Sequence, residues 1–190
     1  MKTPCFASGR CATPRVTWRR LALCCLVGLA SAGSAGAACD RPQTRPDDRY
    51  MVVEGSDGAE VLDKATGLVW QRCVLGKTWD RSTNQCSGSA RHVGWMVASA
   101  LEADADKPVK AGEKWRLPSY IELLSLVDMS CSHPAVNSKW FPEKDIQFLW
   151  SGTTYAPLGD YAWGLKYMRG EITYDNKVEE FQVRLVRPAR

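Results

Sequence analysis

The chain has 190 residues, 45% of them apolar, and a formal charge of +4, a composition ordinary for one globular domain. Charge is placed unevenly: Lys2, Arg10, Arg15, Arg19 and Arg20 fall in the first 37 residues, which hold no acid. Without that stretch, five of the 25 basic and none of the 21 acidic residues are lost, +4 becomes −1, and nucleic-acid binding through counterion release loses its compositional support.

Residues 1–37 have the order of a secretory signal peptide: a basic start, an apolar run from Leu21 to Ala30, then Ala35-Gly36-Ala37. The run is far short of the roughly 20 residues of a membrane-spanning helix, and no later segment approaches that length. The mature chain, 153 of the 190 residues, is expected to be exported, to the periplasm or the cell exterior. Gly36-Ala37-Ala38-Cys39 resembles a lipoprotein cleavage site, but Gly36 stands where a large aliphatic is usual, and acylating Cys39 would leave an odd thiol. Arg19-Arg20 is followed by Leu21-Ala22-Leu23, a loose match to a twin-arginine signal. Ordinary unfolded-chain export is the expectation.

Cys5, Cys11, Cys24 and Cys25 leave with the leader, and Cys39, Cys73, Cys86 and Cys131 remain. An even count in an oxidising compartment predicts two disulfides, with three connectivities open. The short separation of Cys73 and Cys86 favours a local staple, which leaves Cys39 to tie the N-terminal segment to Cys131.

Residues 38–48 read as a polar, proline-interrupted strap held by Cys39, and residues 49–190 as one domain. Runs at Tyr50 to Val53, Glu60 to Asp63 and Leu68 to Arg72 are separated by Gly55-Ser56-Asp57-Gly58 and Ala65-Thr66-Gly67, which predicts a three-stranded meander. Val93, Val97, Ala100 and Leu101 recur at helical spacing, predicting a helix over Val93 to Ala103 that ends in Asp104, Asp106 and Pro108. Ser119 and Glu122 form a capping box for a second helix, Tyr120 to Asp128. After a loop from Cys131 to Pro142 the pattern is β. Tyr161, Trp163, Leu165 and Tyr167 alternate with smaller or polar residues, Arg169-Gly170-Glu171 turns the chain, and Ile172 to Tyr174 returns. Asp175-Asn176-Lys177 turns again, and Phe181, Val183 and Leu185 supply the inward face of a last strand. The predicted class is α+β, two helices with a mostly antiparallel sheet, disulfide-braced.

Motifs for chemistry are sparse. His92 and His133 are the two histidines, and neither lies in a metal or nucleophile motif. Zinc on Cys131-Ser132-His133 would need atypical ligand spacing. Glu102, Asp104 and Asp106 form an acidic comb, but Pro108 breaks any EF-hand pattern. There is no Gly-x-Ser-x-Gly and no phosphate-cradling glycine loop in the mature chain. No metal or other cofactor is expected. Among the seven mature tryptophans, Trp70, Trp115, Trp150 and Trp163 lie in strand-like patterns and are expected to pack the core. Trp79, inside the short cysteine loop, is the surface candidate. Arg116, flanked by Trp115 and Leu117, is expected to make a buried ion pair with an acid.

These residues also carry a resemblance. Asp63-Lys64-Ala65-Thr66-Gly67-Leu68-Val69-Trp70-Gln71-Arg72-Cys73, then Leu75-Gly76-Lys77-Thr78-Trp79-Asp80 and Cys86, resemble the opening of the Lcl C-terminal domain family, named for a bacterial collagen-like adhesin. Trp115-Arg116-Leu117-Pro118-Ser119, Cys131 through Pro134-Ala135-Val136-Asn137, Phe141-Pro142, Trp150-Ser151-Gly152, Ala162-Trp163 and Val183-Arg184-Leu185-Val186-Arg187 continue it in order. The resemblance spans roughly Arg49 to Arg187. It implies a bacterial envelope or secreted domain of C-type-lectin-like fold, related to the formylglycine-generating enzyme and to variable receptor-binding proteins, with a role in adhesion that includes sulfated glycans. The Glu-Pro-Asn, Gln-Pro-Asp and Trp-Asn-Asp triplets of calcium-dependent lectins are lacking, as is a collagen-like stalk.

The resemblance places a ligand face on loops before and between the last strands, here Tyr155, Asp160, Tyr161, Arg169, Tyr174, Asn176 and Lys177. The functional expectation is a non-catalytic binding module for a glycan or an envelope or cell-surface protein, with no nucleic acid and no transmembrane segment in the mature chain. A structural envelope or appendage subunit is the alternative. An enzyme of the formylglycine-generating type would need a reactive thiol, which two disulfides would remove.

Overall fold

Three short apolar runs parted by glycine turns form an antiparallel meander in the computed structural model of the chain, which describes residues 38–101 and 114–189. The leader and the acidic comb Glu102, Asp104 and Asp106 lie outside the described residues. The meander strands are β2 (Tyr50–Val52), β3 (Glu60–Asp63) and β4 (Leu68–Gln71), preceded by β1 (Ala38–Cys39). Then come β5 (Lys77–Asp80), β6 (Gln85–Gly88), α1 (Trp95–Ser99), α2 (Tyr120–Leu126), β7 (Cys131–Ser132), β8 (Phe148–Thr154), β9 (Tyr161–Lys166), β10 (Glu171–Asn176) and β11 (Val186–Pro188). The class is α+β, with every strand pairing between these elements antiparallel.

Gly55 and Gly58 at φ +79° and +89° make the first meander turn, and Gly67 at φ +68° the second, conformations that glycine adopts without steric cost. β11 returns to the meander, giving the order β11-β4-β3-β2 with Val186 opposite Trp70. The other large sheet has the order β10-β9-β8. One core cluster joins them, built on Val61, Trp70, Leu123, Leu126, Leu149 and Leu165, and a second holds Ala98, Phe148, Trp150, Ala162 and Val183. Trp70 and Trp150 are fully buried, as their patterns predict.

Of the three possible connectivities, the chain forms Cys39–Cys131 and Cys73–Cys86. The first brings β1 onto β7 and starts a strap that continues along the body. Asp128 anchors it: the buried carboxylate accepts from Arg45 N–H at 2.8 Å, Thr44 Oγ1 at 3.0 Å, and both the N–H and hydroxyl of Ser130. The side chain of Asn137 donates to Arg45 O and to the Asp47 carboxylate.

Several expectations change on contact with the rest of the chain. The first helix is only Trp95–Ser99, because Val93 is drawn into a bridge with Phe181, its N–H donating to Phe181 O and its carbonyl accepting in return. Within the helix Ala98 is the buried residue and Val97 is exposed, while Val93 and Leu101 of the predicted apolar set pack into the second cluster from outside the helix. α2 has the predicted capping box but ends before Asp128, where Val127 turns extended to bridge Val136. The Cys73 to Cys86 segment contains a hairpin, β5–β6. β10 runs through Asp175 and Asn176, where the sequence predicts a turn. Around the last strand both faces are buried, Gln182 and Arg184 as well as Val183 and Leu185. Arg116 does pair with an acid, Glu122, through contacts of 2.7 and 2.8 Å, but its side chain is 45% exposed. The pair closes over the capping box at the surface. Trp115 is half-buried against the second cluster, under Arg187.

Arg184 is the unanticipated centre of the fold. Its guanidinium donates to Gln71 O at 2.9 Å, to Arg72 O, and to the carboxylate of Glu143, which also accepts from Val74 N–H at 3.0 Å. Both members of the ion pair are buried. Glu143→Ala leaves a buried cation without its counter-ion and is expected to destabilise by about 3–5 kcal/mol, measured by urea unfolding.

Asp128 carries a second prediction. Burial pushes its carboxyl pKa up, but hydrogen bonds from Ser130 and from the backbone of Arg45, Ser130 and Thr44 outweigh this and lower it from 3.8 to about 2. A carboxylate depressed in the folded state stabilises above its unfolded pKa and loses that contribution as pH falls through the folded one. The stability gap between the wild type and Asp128→Asn is therefore expected to be constant above pH about 5 and to shrink by roughly 2 kcal/mol toward pH 2, read from unfolding curves across that range.

Candidate functional site

The β9–β10 hairpin sets two faces by strand alternation. Tyr161, Trp163 and Leu165 share one face with their cross-strand partners Asn176, Tyr174 and Ile172. α2 packs on this sheet and covers only its inner half, so Leu165 and Tyr167 are buried while Tyr161 and Trp163 are half-buried. The expectation that Trp163 packs the core is corrected here. The aromatic stripe has the right periodicity, but the helix over it begins at Tyr120 and leaves the far end open.

At that end the rings pack on one another. Tyr155 and Tyr174 lie stacked, centroids 3.9 Å apart and planes 8° from parallel. Trp163 meets both edge-on, at 5.1 and 5.7 Å, and Tyr161 meets Tyr174 edge-on at 5.9 Å. On its other side Trp163 stacks on Tyr120 at 5.3 Å. Tyr174 is 40% exposed. Burial first, then the adjacent Tyr174 phenol, raise the pKa of the Tyr155 hydroxyl above its ordinary value, so the Tyr155 tip stays a protonated donor at neutral pH.

The turns beside the rings are self-bonded. Lys177 N–H donates to Asp160 O, and its ammonium donates to Gly159 O at 2.6 Å while lying 4.3 Å from the Trp95 ring centroid. The Asn176 side chain accepts from Val178 N–H. Asp160, Asn176 and Lys177 thus frame the aromatic end, the latter two with side chains committed to turn geometry. Arg169 lies in the turn at the opposite end of the hairpin. It is exposed and does not join the group.

Trp79 is elsewhere again, on β5 and half-buried. The Arg72 guanidinium lies 3.5 Å from its ring centroid and 5.4 Å from that of Trp140. Arg72 also donates to Trp140 O, Lys139 O and Gly58 O. Burial, then repulsion from Arg184, lowers its pKa to about 10. A cleft of about 470 Å³ opens beside this stack, between the first meander turn and the β5–β6 hairpin. Trp79 therefore clamps the stapled hairpin to the body as well as lining a cleft.

Sequence reasoning missed Tyr120 and Trp163 as members of the aromatic group. Tyr120 had a usable signal, since the residue after a helix cap begins the first turn and can face outward. Trp163 had none that separated it from Leu165.

Cys131 is bonded to Cys39, so the thiolate a zinc site would need is consumed. No cluster of three or more His, Cys, Asp or Glu side chains among the described residues could hold a metal ion. No helix among them is long and apolar enough to cross a membrane. Against known proteins, the family model described as Lcl C-terminal domain matches residues 59–187. No curated protein and no solved structure matches the chain.

Gly164 lets the hairpin seat at all. A Cβ there would overlap the Phe148 ring and stand 2.5 Å from Leu149 O. Gly164→Ala is expected to cost several kcal/mol, by overpacking of the order of 1–3 kcal/mol plus a disrupted β8–β9 ladder, and to dissolve the aromatic group. Loss of near-ultraviolet circular dichroism with a lowered Tm would show both.

Proposed function

The chain belongs to the Lcl C-terminal domain family, and from that premise we propose that it is an exported, non-catalytic binding module of the kind used in adhesion, recognising a glycan on the aromatic end of the β9–β10 hairpin. The observation that carries this reading is the interlocked group of Tyr120, Tyr155, Tyr161, Trp163 and Tyr174 at a partly solvent-facing surface. Rings that already hold one another lose little freedom on binding. Apolar faces with polar tips suit a sugar, which presents C–H surfaces and hydroxyls together.

Three further features support the reading. Cys39, Cys73, Cys86 and Cys131 are all bonded, which leaves none of them as a thiol for formylglycine-type oxidation. The two disulfides and the leader-like residues 1–37 fit passage to the periplasm or beyond. The β11–β4 pairing that closes the chain end onto the first sheet, with a second sheet carrying the exposed hairpin, fits a C-type-lectin-like arrangement.

The test is the disulfide-bonded protein on a panel of neutral and sulfated glycans at physiological salt, with and without chelator. Saturable, chelator-insensitive binding is expected, weakened at least about tenfold by Tyr174→Ala, the scale of a contact hot spot, and unchanged by Arg169→Ala. Silence across the panel, or equal loss in both variants, would overturn the reading.

A further inference from the structure

β10 forms an edge of its sheet. The order β10-β9-β8 leaves its outer side without a neighbouring strand among the described residues. Strand parity decides which backbone groups face that side. Tyr167 N–H donates to Gln147 O, and Tyr155 N–H donates to Tyr161 O, so the odd-numbered residues of β9 turn their peptide groups toward β8. The even-numbered Ala162, Gly164 and Lys166 turn toward β10, opposite Asp175, Thr173 and Glu171. Ile172, Tyr174 and Asn176 therefore point their N–H and C=O groups outward.

At Asn176 those groups are taken, the N–H by the Asp175 carboxylate at 2.8 Å and the carbonyl by Glu179 N–H at 3.0 Å. At Ile172 and Tyr174 no described group takes them. Two donors and two acceptors stand along the edge, the residues spaced about 7 Å apart. Peptide groups in that spacing match one kind of occupant, an extended polypeptide.

Side chains set which polypeptide. Glu171, Thr173 and Asp175 share one face of β10. Asp175 has no ion-pair partner among the described residues, and Glu171 is held only by Lys166 at 3.4 Å. Ile172 and Tyr174 lie on the other face. A second copy of β10 is a poor occupant: the register that satisfies all four groups pairs Ile172 with Tyr174 and sets Glu171 directly opposite Asp175, like charge against like.

We propose that β10 is a docking edge for an extended segment of a partner protein, with Lys or Arg opposite Glu171 and Asp175 and apolar residues opposite Ile172 and Tyr174. This goes beyond the glycan reading and does not depend on it, because the edge is read through backbone groups and the aromatic face through rings.

The probe is the capped peptide Lys-Val-Thr-Val-Lys, titrated into the isotope-labelled protein with amide shifts and amide hydrogen exchange as readouts. Shifts and slowed exchange at the Ile172 and Tyr174 amides are expected. The effect should vanish when both peptide valines are N-methylated, and the glutamate peptide Glu-Val-Thr-Val-Glu should bind about fivefold more weakly, the scale of a cross-strand charge pair. Asp175→Lys should remove that preference, with Glu171→Lys as the second variant should the first disturb the turn, and the two substitutions together should reverse it. An unperturbed edge, an equal response to the N-methylated peptide, or protection that grows with protein concentration alone would overturn the proposal, the last by showing self-pairing.

Discussion

The buried pair of Arg184 and Glu143 is the constraint on which the architecture depends. Desolvating both charges is costly, and the cost is offset by the hydrogen bonds that both members of the pair make, although Arg184 Nε is left without a partner among the described residues. Arg184 spends its terminal nitrogens on Gln71 O, Arg72 O and Glu143, and Glu143 takes Val74 N–H in addition. One contact thereby fastens the end of β4, the start of the stapled hairpin, the loop before β8 and the C-terminal segment. The Phe141 ring lies 4.9 Å from the same guanidinium, and Tyr167 donates its hydroxyl to Phe141 O. The centre of the molecule is therefore polar at its middle and apolar around it.

From that centre the body extends to the hairpin that carries the aromatic group. Leu149 and Leu165 pair across β8–β9 inside the core, and Tyr167 continues the buried end of the β9 stripe. Further along, where α2 no longer covers the sheet, the same face emerges as Trp163 and Tyr161. The aromatic surface is thus the uncovered end of a core face. It needs no dedicated scaffold: its inner residues are core, and its outer ones are held by ring contacts and by the self-bonded turns at Asp160 and Lys177.

Local signals in the sequence survived folding where one short-range interaction settles the outcome. Ser119 and Glu122 cap α2 because both partners lie within one turn. Glycine turns place the meander to within a residue, and cysteine spacing points to both disulfides. Failures occur where a distant strand competes. Val93 is helical by spacing, yet Phe181 claims its backbone. Arg184 looks like the polar member of an alternating strand, yet it is fully buried because a carboxylate 41 residues away meets it. Of the proposed contact residues, Tyr155, Tyr161 and Tyr174 come together, while Arg169 and Trp79 are placed on other parts of the surface.

What the sequence by itself determined is the set of local elements, the disulfide pairing it favoured, the family and the aromatic wealth of the last strands. These rest on near-neighbour chemistry: turns, caps, cysteine spacing and ordered motifs. Tertiary structure alone decided which aromatics are core and which reach solvent, which edge of the second sheet stays open, and which arginine lies at the centre. Those outcomes depend on where a helix ends over a sheet and on which partner a buried charge finds, and both are set by elements far apart in the chain.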